Sequence, residues 1–388
     1  MPSFHLASFI DEFATTGPVE IDPGEVLAAL VGLRDPRKKR GVRHRVAHLL
    51  VIMVCSVLAG ATTLVEMAEW ATDTARDQLA APGIGAPHAT TWARVLQRLN
   101  TDTLDRLAGS WAQGMTAVAA IAIDGKEVRG AKNGGGTRVH LLAGIDHTTA
   151  AVLVRKNVSE KPMRPPFFLP VLEGIKDLRD VVISADALHT QRVHAEYLHT
   201  RGARYVLTVK ANQPKLRHQL GSLPWMQVRA GHKTRNTANG REIERTVKCV
   251  SFDVGIKFPH AAQAAQITRR SRPLGTRKWS TETVHVVTSL APAQGKPDLI
   301  GSLVRGHWGI ENAPALAPRR DLARRQFPDS AGQRPACHGL PAQHRDHDPA
   351  PGRRNQPCQS HPRRTQVPAP CPQTHRPVYQ LNDFADAL

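Results

Sequence analysis

Cysteine is scarce in this chain. Its five thiols, Cys55, Cys249, Cys337, Cys358 and Cys371, show none of the paired spacings of a zinc module or a thioredoxin-like redox motif. That scatter argues against a disulfide framework and fits a reducing, cytoplasmic setting. Long apolar runs are also missing. A membrane-spanning helix needs roughly 20 apolar residues, whereas the uncharged stretch Leu49–Val65 is shorter, contains Ser56, Gly60, Thr62 and Thr63, and is closed by Glu66 and Glu69. It is expected to be a buried helix, with no membrane partner. Nothing resembles a secretory signal, and no repeat recurs at solenoid spacing. Acid is in short supply: 33 Asp and Glu face 52 Lys and Arg, a formal net charge of +19. Such an excess points to a polyanionic partner, because neutralising phosphates releases counterions. An Arg-favouring genome gives the same balance, so basicity alone names no substrate.

What is present falls into segments. Residues 1–36 read as a lead-in, with a short amphipathic helix near Phe4–Phe13 and a Pro/Gly break at Pro18–Gly24. Residues 37–116 read as a helical domain: Val46–Ala61, Thr63–Ala75, Thr90–Leu99 and Thr103–Thr116. The run Arg37–Arg45 precedes it. In Thr90–Leu99, Trp92, Val95, Leu96 and Leu99 share one face and Arg94 and Arg98 the other. Arg40, Arg43, Arg45, Arg94 and Arg98 are therefore candidate DNA contacts, although an ordinary helical subdomain looks the same.

From Ala117 the period changes to that of strands. Strand one ends at Asp124; Arg138–Ile145 and Ala151–Asn157 follow. Pro165–Lys176 reads as a helix, Asp180–Ala185 as a strand ending at Asp186, Thr190–Thr200 as a helix, and Arg204–Lys210 as a fifth strand. This β-β-β-α-β-α-β order over 117–214, with acids ending strands one and four, is the ribonuclease H-like α/β arrangement. Residues 215–297 read as a β-rich insertion with basic loops, its strands at Arg245–Phe252 and Thr281–Leu290. A helix from Asp298 to about residue 312 carries Glu311. An Asp after a strand is often only a turn former. Three carboxylates brought together would instead suit a hard divalent cation.

Four motifs sharpen this reading: Ile-Asp-Gly-Lys at 123–126, Asp-Ala-Leu-His-Thr-Gln at 186–191, Val-Lys-Ala-Asn-Gln-Pro at 209–214 and Arg-Gly-His-Trp-Gly-Ile-Glu-Asn at 305–312. They resemble those of bacterial insertion-sequence DDE transposases, in the branch that includes the H-repeat-associated proteins, over roughly residues 25–312. The resemblance implies that Asp124, Asp186 and Glu311 are the catalytic acids and the ligands of two Mg²⁺ (or Mn²⁺) ions. It implies DNA cleavage and strand transfer on terminal inverted repeats and target DNA, and a homodimer on DNA in the bacterial nucleoid. Lys126, Lys210 and Asn212 would stand near phosphate or on solvated surface. His189 and Gln191 would contact DNA or support the site, with His189 equally suited to a cap. Arg305 and His307 would stabilise phosphate or flank the third acid. A DNA-binding remnant without catalysis, held by residues 37–45, 94–98 and 269–278, or another ribonuclease H-like nuclease, are the alternatives.

After Asn312 the resemblance stops. Residues 313–388 hold 13 of the 29 prolines and no Lys, Glu, Ile, Met or Trp, a composition expected to stay disordered. Arg325–Ala331 and Gln333–Pro349 are each compatible with codons that, read one base over, spell family-like C-terminal words. A frameshift near residue 313 is the expectation, with impaired activity as its consequence.

Overall fold

A computed structural model describes residues 22–311 except 81–83, 116, 133–137, 159–166 and 253–254. The expected helix at Phe4–Phe13 and the expected disordered, frameshifted tail at 313–388 lie outside the described residues.

The described chain opens with helices α1 (Pro23–Leu30), α2 (Val46–Leu58), α3 (Leu64–Asp73), α4 (Arg76–Ala80), α5 (Ala89–Leu96) and α6 (Thr101–Met115). Local chemistry starts them. Asp22 accepts the Gly24 N–H at 2.7 Å ahead of Pro23, the residue whose missing donor costs nothing there. Thr63 and Glu66 close a reciprocal capping box on α3. Leu49, Ile52, Met67, Val95 and Trp92 fill one core, and the Trp92 indole N–H donates to the Leu49 carbonyl at 2.9 Å. Val26, Leu30 and Leu33 belong to that core. The lead-in expected up to residue 36 is corrected: α1 is part of the helical domain. Among the described residues no helix is long and apolar enough to cross a membrane.

The rest is built on one mixed sheet of nine strands: β1 (Ala120–Lys132), β2 (Arg138–Asp146), β3 (Val152–Val158), β4 (Val182–Ala185), β5 (Arg204–Val209), β6 (His232–Ala238), β7 (Arg241–Ser251), β8 (Gln263–Pro273) and β9 (Ser280–Thr288). Their order is β3-β2-β1-β4-β5-β9-β8-β7-β6. Strands β1, β4 and β5 run parallel, and every other pairing is antiparallel. Helices α7 (Phe168–Leu172), α8 (Arg192–Thr200) and α9 (Pro214–Gly221) pack on one face, and α10 (Pro297–Glu311) on the other. Strand alternation sorts the side chains. Ile121, Ile123, Ile183, Ala185 and Leu207 meet Phe168, Leu172, Leu198 and Leu216. Ala120, Val182, Val206, Val247 and Ile267 meet Leu299, Ile300, Leu303 and Val304 of α10.

Strands β6–β9, in the segment expected to be a β-rich insertion, extend the sheet, β9 pairing with β5. One expectation there is corrected: Arg269–Arg272, expected in a loop, lies within β8. Charge on both faces of β8, and an almost wholly polar β6, hid the period-2 signal. The helical domain joins the sheet where α6 meets β3. A Cβ on Gly109 would stand 2.3 Å from the Leu153 carbonyl oxygen, and the Gln113 amide donates to that same carbonyl at 3.0 Å. An Asp105–Arg155 ion pair flanks them.

Candidate active site

The parallel register of β1 and β4 pairs Ile121 with Ile183, Ala122 with Ser184 and Ile123 with Ala185. One step further along the same register, Asp124 comes beside Asp186, on strands roughly 4.8 Å apart. Alternation puts both on the side of Ala120 and Val182, which is the side that α10 covers. Asp124 is 9% exposed, and its Oδ1 accepts the Gly125 N–H at 2.8 Å. Asp186 is half-buried, and its Oδ1 accepts the Leu188 N–H at 3.0 Å, capping the short turn Ala187–His189.

Behind the two acids lies a buried polar chain. The Ser184 hydroxyl is 2.7 Å from His147 Nε2 and 3.2 Å from His307 Nδ1. A hydroxyl has one proton, so it donates to one ring and accepts from the other. This ties the β2–β3 turn, β4 and α10 together. The contact is close: a Cβ on Gly306 would stand 2.7 Å from His147 Nδ1. Burial, with His307 adding to it, pushes His147 down to about 3. Burial pushes His307 down to about 4, against the pull of Asp186 and with the help of Lys210. His189 is likewise pushed down to about 4 by burial, opposed by Asp186. All three rings are neutral near pH 7.

The other expected residues separate into groups. Of the alternatives expected for His189 and His307, contact with DNA or phosphate or support of the site, their burial (2% and 4% exposed) fits support: they are packed inside, His189 against Phe168 and His307 on Ser184. Gln191 Nε2 donates to the Leu188 carbonyl at 3.2 Å. Asn212 Nδ2 donates to the Ala187 carbonyl. Both amides thus hold the loop that carries Asp186. Lys210 is exposed just past β5, and Arg305 is exposed on α10. Lys126 lies on β1, with its side chain outside the described part. Glu311 is the last residue of α10, its side chain likewise undescribed. Among the described residues no three His, Cys, Asp or Glu side chains cluster to hold a metal. Arg40, Arg43, Arg45, Arg94 and Arg98 are all exposed. Arg37 is clasped instead by Asp35 at 2.7 Å. Sequence reasoning missed His147 and Ser184. A serine inside the apolar run Val182–Ala185 was the available signal, since a buried hydroxyl needs a partner.

A family model described as "Transposase DDE domain" matches residues 119–315, and one described as "DDE_Tnp_1-associated" matches residues 27–112. "Putative transposase YncI" of Escherichia coli O157:H7 is 29% identical over 47% of this chain, which spans 49% of that relative's length. Its counterpart in strain K12 is 28% identical over 47% of this chain and 77% of its own. "H repeat-associated putative transposase YhhI" of strain K12 is 23% identical over 72% of this chain and 78% of its own. A piggyBac transposase synaptic complex with hairpin DNA aligns over 76% of this chain and 69% of its own, at a TM-score of 0.33 and 11% identity. Strand one was expected to end at Asp124; instead β1 continues to Lys132, so Asp124 lies within it, and only Asp186 follows a strand end. With both segments matched in order, the chain belongs to the DDE transposase family.

Proposed function

We propose that this chain is the transposase of an insertion sequence, binding the element's terminal repeats and target DNA as a homodimer and cutting and rejoining strands at Asp124, Asp186 and Glu311. The observation that carries this is the β1–β4 register, which sets Asp124 beside Asp186 on the face α10 covers. Position 311 follows His307 by about one helical turn, at the end of α10. The central strand order β3-β2-β1-β4-β5 with β2 reversed supports a ribonuclease H-like core.

The two described carboxylates are hard oxygen donors, Asp124 on β1 and Asp186 just past β4, which fits Mg²⁺ or Mn²⁺. Bound there, two such ions would activate water and stabilise the leaving oxygen of a phosphodiester. Asp124 and Asp186 would hold them, and Glu311 would complete the set. No side chain forms a bond to DNA: water cleaves the phosphodiester, and the freed 3′-hydroxyl is the nucleophile on target DNA. Gln191 and Asn212 keep the Asp186 loop in place. Ser184, between two neutral imidazoles, holds α10 to β4 without adding a buried charge.

The second part of the proposal concerns residues 313–388, read as out of frame and as impairing this copy. The test is a nicking and strand-joining assay on terminal-repeat DNA with Mg²⁺ or Mn²⁺. It compares this chain, a chain restored to the other frame, and D124N and D186N variants of the restored chain. Activity that rises on restoration and vanishes in both variants is expected. Cutting that persists in D124N would refute the assignment, and equal activity of the two frames would refute the impairment.

A further inference from the structure

Strands β7 and β8 carry charge on both faces, and the two faces are built differently. On the side away from α10, each arginine is matched. Arg272 meets Glu242 at 2.6 Å, Arg270 approaches Glu244 at 3.5 Å, Arg235 pairs with Glu242, and Arg270 and Arg272 both stack on Trp279. On the α10 side, Arg245 stands directly opposite Arg269 in the register. Like charges directly opposite each other destabilise a sheet. The acid nearest Arg269 is Glu282 at 3.8 Å, 61% exposed in its side chain, and such a surface pair contributes little. The Nε of Arg245 and the Nε of Arg269 are buried with no hydrogen-bond partner among the described residues. Helix α10 lies against β7 here, where a Cβ on Gly301 would stand 2.9 Å from Val247 Cγ2, and Arg305, one turn farther along α10, adds a third positive charge. Burial, then Arg269, then Arg305, hold the Arg245 guanidinium below its ordinary range. Asn236 accepts from Arg245 Nη1 at 2.9 Å and fixes its direction.

We propose that Arg245, Arg269 and Arg305 form one cradle for a single phosphodiester of the DNA backbone. The proposal rests on the reading that this chain handles DNA. Three guanidiniums gathered against their own repulsion, two of them with unspent donors, are completed by an anion with several oxygens. The position suits one strand of the same DNA. Ala185 is level with Leu207 and Val287, and Arg269 with Glu282, five residues farther along β9 and past the strand end that carries Asp186. At 3.4 Å per residue and three strand spacings sideways, the cradle lies roughly 20 Å from the paired acids. A continuous backbone spans that gap.

The test uses the whole chain and a short duplex without divalent metal, so that binding is read apart from cleavage. Affinity is measured against salt for wild type, R245Q, R269Q, R305Q, the double variant R245Q/R269Q, and a control, R179Q, at an arginine 80% exposed at the opposite strand end. Each cradle variant should lower the salt slope by about one phosphate contact, and the double variant no further. R179Q should leave it unchanged. Inorganic phosphate should raise the melting temperature of wild type and not of R245Q, and without phosphate the variants should be at least as stable as wild type. Unchanged slopes, additive losses, or variants that melt lower without phosphate would each overturn the cradle. Failed metal-dependent cutting by the chain restored to the other frame, with these binding results intact, would instead count against the proposed catalytic acids.

Discussion

Acidification should unfold this protein before its carboxylates titrate, because His147, His189 and His307 are buried as neutral rings around the paired acids. Their folded values of about 3, about 4 and about 4 lie below the ordinary value of 6.5 that the unfolded chain regains. Below pH 6.5 the unfolded state therefore binds protons that the folded state refuses, and stability falls as pH falls towards 4. At pH 5 an unperturbed imidazole is stabilised by protonation by about 2 kcal/mol, whereas one with a value near 4 gains almost nothing. Three such rings give a loss of about 6 kcal/mol between pH 8 and pH 5, comparable with the whole stability of an ordinary domain. Urea denaturation followed by tryptophan fluorescence at half-unit pH steps would measure it. In H147N the slope between pH 6.5 and pH 5 should be shallower by about one proton. A flat stability from pH 7 to pH 5, or an unaltered slope in H147N, would refute the claim that these rings are held neutral.

Two further outcomes follow from the packing. Gly109→Ala should cost about 2–4 kcal/mol, because the new methyl meets a carbonyl oxygen at 2.3 Å where α6 lies on β3; a melting curve within experimental scatter of wild type would contradict it. Ser184→Ala should cost about 1–3 kcal/mol, since two buried imidazole nitrogens lose their shared hydroxyl. Ser184→Thr, which keeps the hydroxyl, should recover part of that loss, and equal melting of the two variants would count against a role for the hydroxyl.

Much of this protein was legible from local pattern. Apolar strands running into Asp124 and Asp186 announce themselves by period, and the helical segments by caps such as Thr63–Glu66; the Gly after Asp124 suggested a break, but β1 pairs on past it to Lys132. Other features exist only after distant segments meet. That Asp124 lies level with Asp186 depends on the register of two strands some sixty positions apart, which neither strand encodes alone. His147, Ser184 and His307 are unremarkable polar residues until a turn, a strand and a helix bring them within 3.2 Å. The basic stretch at 269–272 read as a loop because charge on both faces erased its alternation. Only cross-strand pairing shows which of its arginines are neutralised by Glu242 and Glu244 and which stand against Arg245. Periodicity is a property of neighbours in the chain, whereas charge matching and burial are properties of neighbours in space.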